Sequence, residues 1–229
     1  MNKLLLVIPV SLFSLSVLPC DFPIAKNLAR GEYKFDIRFY NDGGLLFSID
    51  AAILDKLSIG LRYGGTGIIG YGKVRFNPAP GVSISYLILE ELEYWPSAIL
   101  GIETQGFDHY IEDNERYFIK SRGLYLCISK EFPVLSGFIL NGGLNRTFET
   151  KDEKSGFDIF SSLILNFSPE FSFFLEYALG YNDPLHTKGI LNSGVSFNLI
   201  NQFFFTFSFR DLLSDTYMRT FQVGYKGHL

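Results

Sequence analysis

The sequence has few cysteines and, beyond its N-terminal residues, no long uncharged apolar segment. Only Cys20 and Cys127 occur among the 229 residues, and Cys20 lies where a signal peptide is predicted to end. Loss of Cys20 with that peptide would leave Cys127 as the single thiol, which excludes intramolecular disulfides. No later segment holds about 18 uncharged apolar residues in a row, so a transmembrane helix is also excluded there.

Positive charge is also scarce. The chain has a formal net charge of −4 at pH 7 and no run of basic residues. A mildly acidic protein of this kind does not offer the basic surface that nucleic acids require. We therefore predict no nucleic-acid partner.

Histidines are few, and their sequence contexts do not indicate catalysis. His109 and His186 lie in two different predicted loops, and His228 lies at the C-terminus. No serine occurs in a G-x-S-x-G motif, and a serine nucleophile needs a histidine within hydrogen-bond reach. We predict a non-enzymatic protein without catalytic residues, and a barrel hydrolase is the less favoured alternative.

Residues 65–70 match the nucleotide-binding pattern G-x-G-x-x-G. That motif requires a helix to begin at the glycines, because the helix N-terminus binds the phosphates. Gly72, Pro78 and Pro80 follow instead, and they make a helix implausible. We predict no cofactor and no metal site, and we interpret the glycines as part of a tightly folded loop.

The N-terminus resembles an export signal. A positive start at residues 1–3 precedes an apolar run over residues 4–18, which predicts a signal peptide over residues 1–20 with its cleavage between about Leu18 and Phe22. The sequence Val17-Leu18-Pro19-Cys20 is also close to a lipoprotein signal, so acylation of Cys20 is an alternative. We predict a short periplasmic lead-in over residues 21–30 and a single barrel domain over residues 31–229.

Alternation of apolar and polar side chains is the strongest pattern in the chain. A period of two places the two sets on opposite faces of a β-strand. In the last third one face is wholly apolar and aromatic, as in Phe203, Phe205, Phe207 and Phe209. Lipid outside, a polar lumen inside and no unpaired backbone are the requirements of a bacterial outer-membrane barrel.

The alternation predicts an all-β fold, a transmembrane antiparallel up-and-down β-barrel of about 12 strands. The connectors provide a second test, because bacterial barrels have short periplasmic turns and longer outer loops. Alternate connectors are short, and residues 65–80 and 106–116 form the longest ones on the other side. The predicted strands cover residues 31–40, 45–54, 56–64, 81–89, 96–105, 117–129, 137–149, 157–166, 171–181, 189–199, 202–210 and 217–226.

Strand parity also predicts which side chains line the lumen. Charges of both signs point inward, and they can either pair across the barrel as a polar core or line a narrow pore. Both arrangements need the same residue types, so the sequence leaves the choice open. The predicted lumen-lining residues are Lys34, Asp36, Arg38, Asp50, Arg62, Glu103, Glu149, Asp158, Glu176 and Arg210.

One region resembles a known family. Residues 99–103, the Gly106-Phe107 turn, residues 117–123 and residues 77–82 are similar to the YjbH-like outer-membrane proteins associated with exopolysaccharide production. The resemblance covers about residues 57–132. It implies an outer-membrane barrel that assists the export or display of a polysaccharide, with export machinery as a partner and no catalytic residues.

The function predicted from these features is a non-enzymatic outer-membrane barrel for polysaccharide export or small-solute passage. A structural or surface-interaction barrel with a plugged lumen is the alternative. We predict outer-membrane lipid and lipopolysaccharide as partners. Any binding or gating function is expected in the two longest outer loops, because loops on a rigid scaffold commonly carry function.

Overall fold

The architecture is described from a computed structural model, which covers residues 20–152, 154–200 and 202–229. No helix long and apolar enough to cross a membrane occurs in this part of the chain. The predicted signal peptide lies outside the described residues except for Cys20. The strands are β1 Glu32–Tyr40, β2 Gly44–Leu54, β3 Leu57–Thr66, β4 Arg75–Phe76, β5 Gly81–Leu89, β6 Ser97–Glu103, β7 Phe107–Ile111, β8 Arg116–Ile119, β9 Gly123–Phe132, β10 Phe138–Arg146, β11 Asp158–Asn166, β12 Phe171–Ala178, β13 Ile190–Leu199, β14 Phe203–Arg210 and β15 Met218–His228.

Every strand except β4, β7 and β8 belongs to one closed antiparallel barrel. Each of these strands pairs with the barrel strands that precede and follow it in the chain. The seam between β1 and β15 runs from Glu32 opposite His228 to Phe39 opposite Phe221. Closure leaves no sheet edge in the wall, which a lipid environment requires. The predicted up-and-down barrel is therefore confirmed.

One predicted strand, residues 117–129, is wrong in its boundaries. The structure divides this stretch between β8, which leaves the wall, and β9, which begins at Gly123. Gly123 adopts φ +63°, and a Cβ there would lie 2.1 Å from the carbonyl oxygen of Arg146. Only glycine tolerates this combination of positive φ and close backbone approach. Both pieces are strands, so the break shows in the sequence only as two cations, Lys120 and Arg122, at positions of lipid-facing parity.

The two faces of the wall differ as the alternation predicts. In β9 the exposed side chains Leu124, Leu126 and Ile128 alternate with the buried Tyr125 and Cys127. Aromatic pairs collect near strand ends, where amphipathic rings meet lipid headgroups. Examples are Phe167 with Phe171 at the short-turn end and Tyr63 with Phe76 at the long-loop end.

The residues preceding β1 fill part of the barrel interior. We call residues 20–28 the lumen segment. Its Phe22 is buried against Phe160 of β11, and its Ala25 amide donates to Ser129 Oγ of β9 at 2.7 Å. The periplasmic lead-in predicted for residues 21–30 thus differs from the structure, in which most of that stretch lies inside the barrel. The segment has no periodic pattern because it contacts several strands rather than one neighbour.

The connector between β6 and β9 folds inward at the long-loop end. We call residues 104–122 the mouth hairpin, because β7 and β8 pair with each other inside it. Its tip at residues 112–115 is exposed, whereas Phe107, Arg116 and Ile119 are buried. The prediction that residues 106–116 are an exposed outer loop is therefore wrong for all but the tip. Residues 66–80 are more exposed, with Asn77 buried.

Candidate functional site in the barrel lumen

Nine of the ten predicted lumen residues lie on wall strands, and one does not. Glu149 lies in the connector between β10 and β11, where it accepts hydrogen bonds from the backbone amides of Tyr117 and Ser121. It therefore holds the mouth hairpin rather than lining a strand. The others are distributed over β1 with Lys34, Asp36 and Arg38, β2 with Asp50, β3 with Arg62, β6 with Glu103, β11 with Asp158, β12 with Glu176 and β14 with Arg210.

Five of these residues form ion pairs with one another on the inner face of the wall. Arg62 forms ion pairs with Glu103 and with Asp50, the latter at 3.5 Å. Lys34 Nζ lies 3.2 Å from Asp36 Oδ1. Each carboxylate here has a cation from a wall strand, so this part of the lumen needs no further charged partner.

Three arginines near the long-loop end have a different environment. Among the described residues, Asp21 of the lumen segment is the one carboxylate at ion-pair distance from Arg38 and from Arg210. Arg38 Nη2 lies 2.8 Å from Asp21 Oδ1. Arg122 stacks on the ring of Phe22, with its guanidinium carbon 3.9 Å from the ring centroid. Two of the three arginines thus depend on the lumen segment for their counter-charge.

Several N–H groups of these arginines lack partners within the protein. Nε and Nη1 of Arg38 and Nε of Arg122 are buried without a hydrogen-bond acceptor among the described residues. Both side chains belong to residues that are more than nine-tenths buried. Buried donors are normally satisfied by protein, water or ligand. The guanidinium cluster can therefore donate further hydrogen bonds to oxygen atoms of a solute or of water.

Carboxylates close to these arginines are already occupied by amide groups. Glu176 accepts hydrogen bonds from the backbone N–H of Phe22 at 2.8 Å and from Asn192 Nδ2 at 3.1 Å. Asp158 accepts from the backbone amides of Ile159, Gly180 and Tyr181. These two side chains lower the net positive charge of the region without forming direct ion pairs with its arginines.

A cavity of about 580 Å³ lies between the lumen segment and the barrel wall. Its wall combines hydroxyl, amide and charged groups with hydrocarbon from the lumen segment and the strands. Its polar uncharged lining consists of Asn27, Ser48, Ser58, Ser83, Ser85, Ser97, Tyr125 and Gln222. Such a surface is well solvated, whereas a permanently packed core is normally apolar.

A buried ionic cluster fixes the mouth hairpin, and we call it the mouth cluster. Its centre is Arg116, which donates to both carboxylate oxygens of Asp183 at 2.8 Å and to Asp152 at 2.6 Å. The ring of His186 lies between two carboxylates, with Nδ1 2.9 Å from Asp183 and Nε2 3.1 Å from Asp211. The members are Arg116, Lys120, Asp152, Asp183, His186 and Asp211.

The carboxylates around His186 control its protonation. Burial alone would lower the pKa of His186, but Asp183 and Asp211 outweigh it and raise that pKa to about 9. Burial likewise opposes ionisation of Asp183, yet His186 and Arg116 hold its pKa well below the ordinary range. At neutral pH the imidazole is therefore a cation. A histidine held in this state does not serve as a general base.

We expect the mouth cluster to weaken as pH rises. The folded-state pKa of His186 exceeds its unfolded value, so its contribution is complete below about pH 6.5 and is lost as pH rises through about 9. The loss is on the order of 3 kcal/mol. Urea unfolding in lipid vesicles at pH 6 and pH 9.5 measures it. His186→Gln should remove this pH dependence, and an unchanged dependence would contradict the assignment.

The mouth cluster and Arg122 were missed by sequence reasoning, although one signal was present. Lys120 and Arg122 share the parity of Leu124 and Leu126, which would place two cations on the lipid face of a continuous strand. A charge near the bilayer midplane is costly. The conflict indicates that the strand cannot extend back from Gly123. The distant partners Asp183 and His186 have no comparable local signal.

The other histidines also lack a catalytic arrangement. His109 stacks on Phe118, and His228 Nδ1 lies 2.7 Å from the Leu229 carbonyl oxygen. In the described part of the chain, the side chains that face the ring nitrogens of His186 are carboxylates rather than a serine or cysteine.

Comparison with known proteins gives structural neighbours but no sequence relatives. No protein-family model and no curated protein sequence matches the chain. A KdgM porin superimposes with a TM-score of 0.54 at 9% identity, covering 86% of this chain and 99% of the porin. A KdgM porin in complex with disordered oligogalacturonate gives 0.53 at 9% identity, with the same shares of each chain. The Acinetobacter baumannii outer membrane protein Omp33 gives 0.46 at 8% identity, covering 86% and 97%.

Proposed function

We propose that the chain, a closed outer-membrane β-barrel that shares its fold with porins, is a non-enzymatic channel for small hydrophilic solutes, with saccharides as the favoured class. The observation that carries this proposal is the set of hydroxyl, amide and charged side chains that contribute to the lining of the 580 Å³ lumen cavity. A wall of serine hydroxyls and charged groups suits water and solutes that form many hydrogen bonds.

The preference for saccharides has two supports. A structurally similar KdgM porin is described in complex with oligogalacturonate, an oligosaccharide that carries carboxylates. In this chain, buried N–H groups of Arg38 and Arg122 have no hydrogen-bond acceptor among the described residues, and they can donate to carboxylate and hydroxyl oxygens of a solute. The fold similarity itself does not transfer a ligand, so the chemistry of Arg38 and Arg122 provides the argument.

The YjbH-like resemblance would add a polysaccharide export machinery as a partner. No family model supports that resemblance, and it stays a prediction. The apolar outer face supports lipid contact, and outer-membrane lipid and lipopolysaccharide both stay predicted partners. A structural or surface-interaction barrel with a plugged lumen is the rival function, because the lumen segment occupies much of the interior.

Solute flux into proteoliposomes tests the channel. We expect swelling with small sugars such as arabinose, and none with a dextran too large for the lumen. The protein should be assayed both intact and with residues 20–28 deleted, because the lumen segment narrows the passage. Folding of each form is first checked by heat-dependent migration on a gel. If neither folded form admits arabinose, the protein is a plugged barrel and the channel proposal is wrong.

A further inference from the structure

The lumen segment supplies the missing counter-charge of two wall arginines. Arg38 projects from β1 and Arg210 from β14, two strands separated only by β15. Both contact the carboxylate of Asp21, whose side chain is 2% exposed. An ion pair this deeply buried is specific in geometry, since each guanidinium needs acceptor oxygens after leaving water.

The other anchors of the lumen segment are polar contacts, the ring of Phe22, and apolar packing of Cys20 and Ile24 against the inner face of the wall. Phe22 donates its amide to Glu176, and Lys26 Nζ lies 2.6 Å from Glu131 Oε2. The carbonyl of Pro23 accepts from Asn141 Nδ2 at 2.6 Å. The segment contributes no strand to the barrel. It can therefore leave without breaking any backbone ladder of the wall.

Departure of the segment would expose polar groups that water can solvate, together with the apolar side chains of Phe160 and Ile164. Glu176, Ser129 and Asn141 are polar, and the arginines regain hydration in an open lumen. The carboxylate of Asp21 has the greatest effect, because its loss leaves Arg38 and Arg210 without a carboxylate at ion-pair distance among the described residues. A carboxylate from another molecule offers the same two oxygens to the same guanidinium groups.

We propose that the lumen segment is an autoinhibitory plug and that Asp21 occupies a carboxylate site formed by Arg38 and Arg210. A solute carrying a carboxylate, such as an acidic saccharide, competes with Asp21 for this site and favours the open lumen. This inference rests on the proposed channel function and defines its regulation. Competition requires that the solute bind the open form better than the plugged form. The arginine pair provides this difference in affinity, because its donors are vacant only in the open form.

Planar-bilayer recordings test the plug with matched variants. Asp21→Asn keeps the side-chain shape and removes the charge that holds the segment. Asp113→Asn makes the same change at the exposed tip of the mouth hairpin. We expect several-fold higher conductance for Asp21→Asn and for deletion of residues 20–28, with wild-type conductance for Asp113→Asn. All forms are first shown to be folded by their heat-dependent gel migration.

The ligand class is tested in the same recordings with sodium galacturonate and galactose as probes. Galacturonate should raise the open probability of the wild-type protein, galactose should not, and Asp21→Asn should respond less because it is already open. Equal effects of the two sugars would overturn the carboxylate site. Equal, high conductance of the wild type, Asp21→Asn and the deletion would overturn the plug but retain the channel. Folded variants that all fail to conduct would instead refute the channel.

Discussion

Replacing Arg116 with methionine is expected to release the mouth hairpin while the barrel wall stays folded. The guanidinium of Arg116 donates to Asp152, to Asp183 and to the carbonyl oxygens of Tyr117 and Phe118. Removing one partner of a buried ion pair typically costs about 3–5 kcal/mol, because the remaining charge stays buried. Peptides from residues 104–122 should then exchange amide hydrogen much faster, and peptides from β1 should not.

A cation in the same loop region provides the control for Arg116. Lys151 pairs with Glu115, but both side chains are more than half exposed. Exposed ion pairs contribute about 0–1 kcal/mol, so Lys151→Met should leave hydrogen exchange nearly unchanged. Similar exchange in the two variants would show that burial of the mouth cluster does not hold the hairpin.

Leu126→Arg is expected to destabilise the barrel by about 2–4 kcal/mol, the usual cost of a cation near the bilayer midplane. Leu126 lies in the middle of β9, faces outward and is flanked by Leu100 and Leu144 on the neighbouring strands. Urea titration of the refolded protein in lipid vesicles measures the change in the free energy of unfolding.

Depth in the membrane is tested by the same substitution at a strand end. Leu199 is the last residue of β13 and is exposed at the short-turn end of the barrel. Leu199→Arg should cost only about 0–1 kcal/mol, because an arginine there reaches the headgroup region. Equal losses at Leu126 and Leu199 would mean that the apolar band is not centred on the middle of the strands.

The barrel could be predicted because its wall has only two environments. Each residue of a wall strand faces either lipid or lumen, and a period of two records that choice locally, as in Phe203 to Arg210. Parity also placed Arg38, Glu176 and Arg210 on the inner face. Closure then requires only neighbouring strands to pair in order.

What fills the barrel could not be predicted in the same way. The ion-pair partners of Asp21 lie on β1 and β14, and the carboxylate that accepts the hydrogen bond of the Phe22 amide lies on β12. Such contacts depend on which strands meet across the lumen, and neither sequence spacing nor alternation contains that information. The mouth hairpin was missed for the same reason, because Arg116 finds Asp183 only after the loops at that end converge.

The position of Cys20 makes lipid attachment and lumen occupancy mutually exclusive. Cys20 packs against the inward-facing cluster of Ile139, Ile164 and Phe174. A diacylglyceryl group on that sulfur would have to cross the barrel wall to reach the bilayer. If the chain were instead tethered to the inner leaflet through Cys20, Asp21 would be held beside the membrane surface, away from Arg38 and Arg210. Mass spectrometry of the mature N-terminus would therefore show whether Cys20 carries lipid, which leaves the lumen without its segment, or is unmodified, which allows the segment to occupy the lumen.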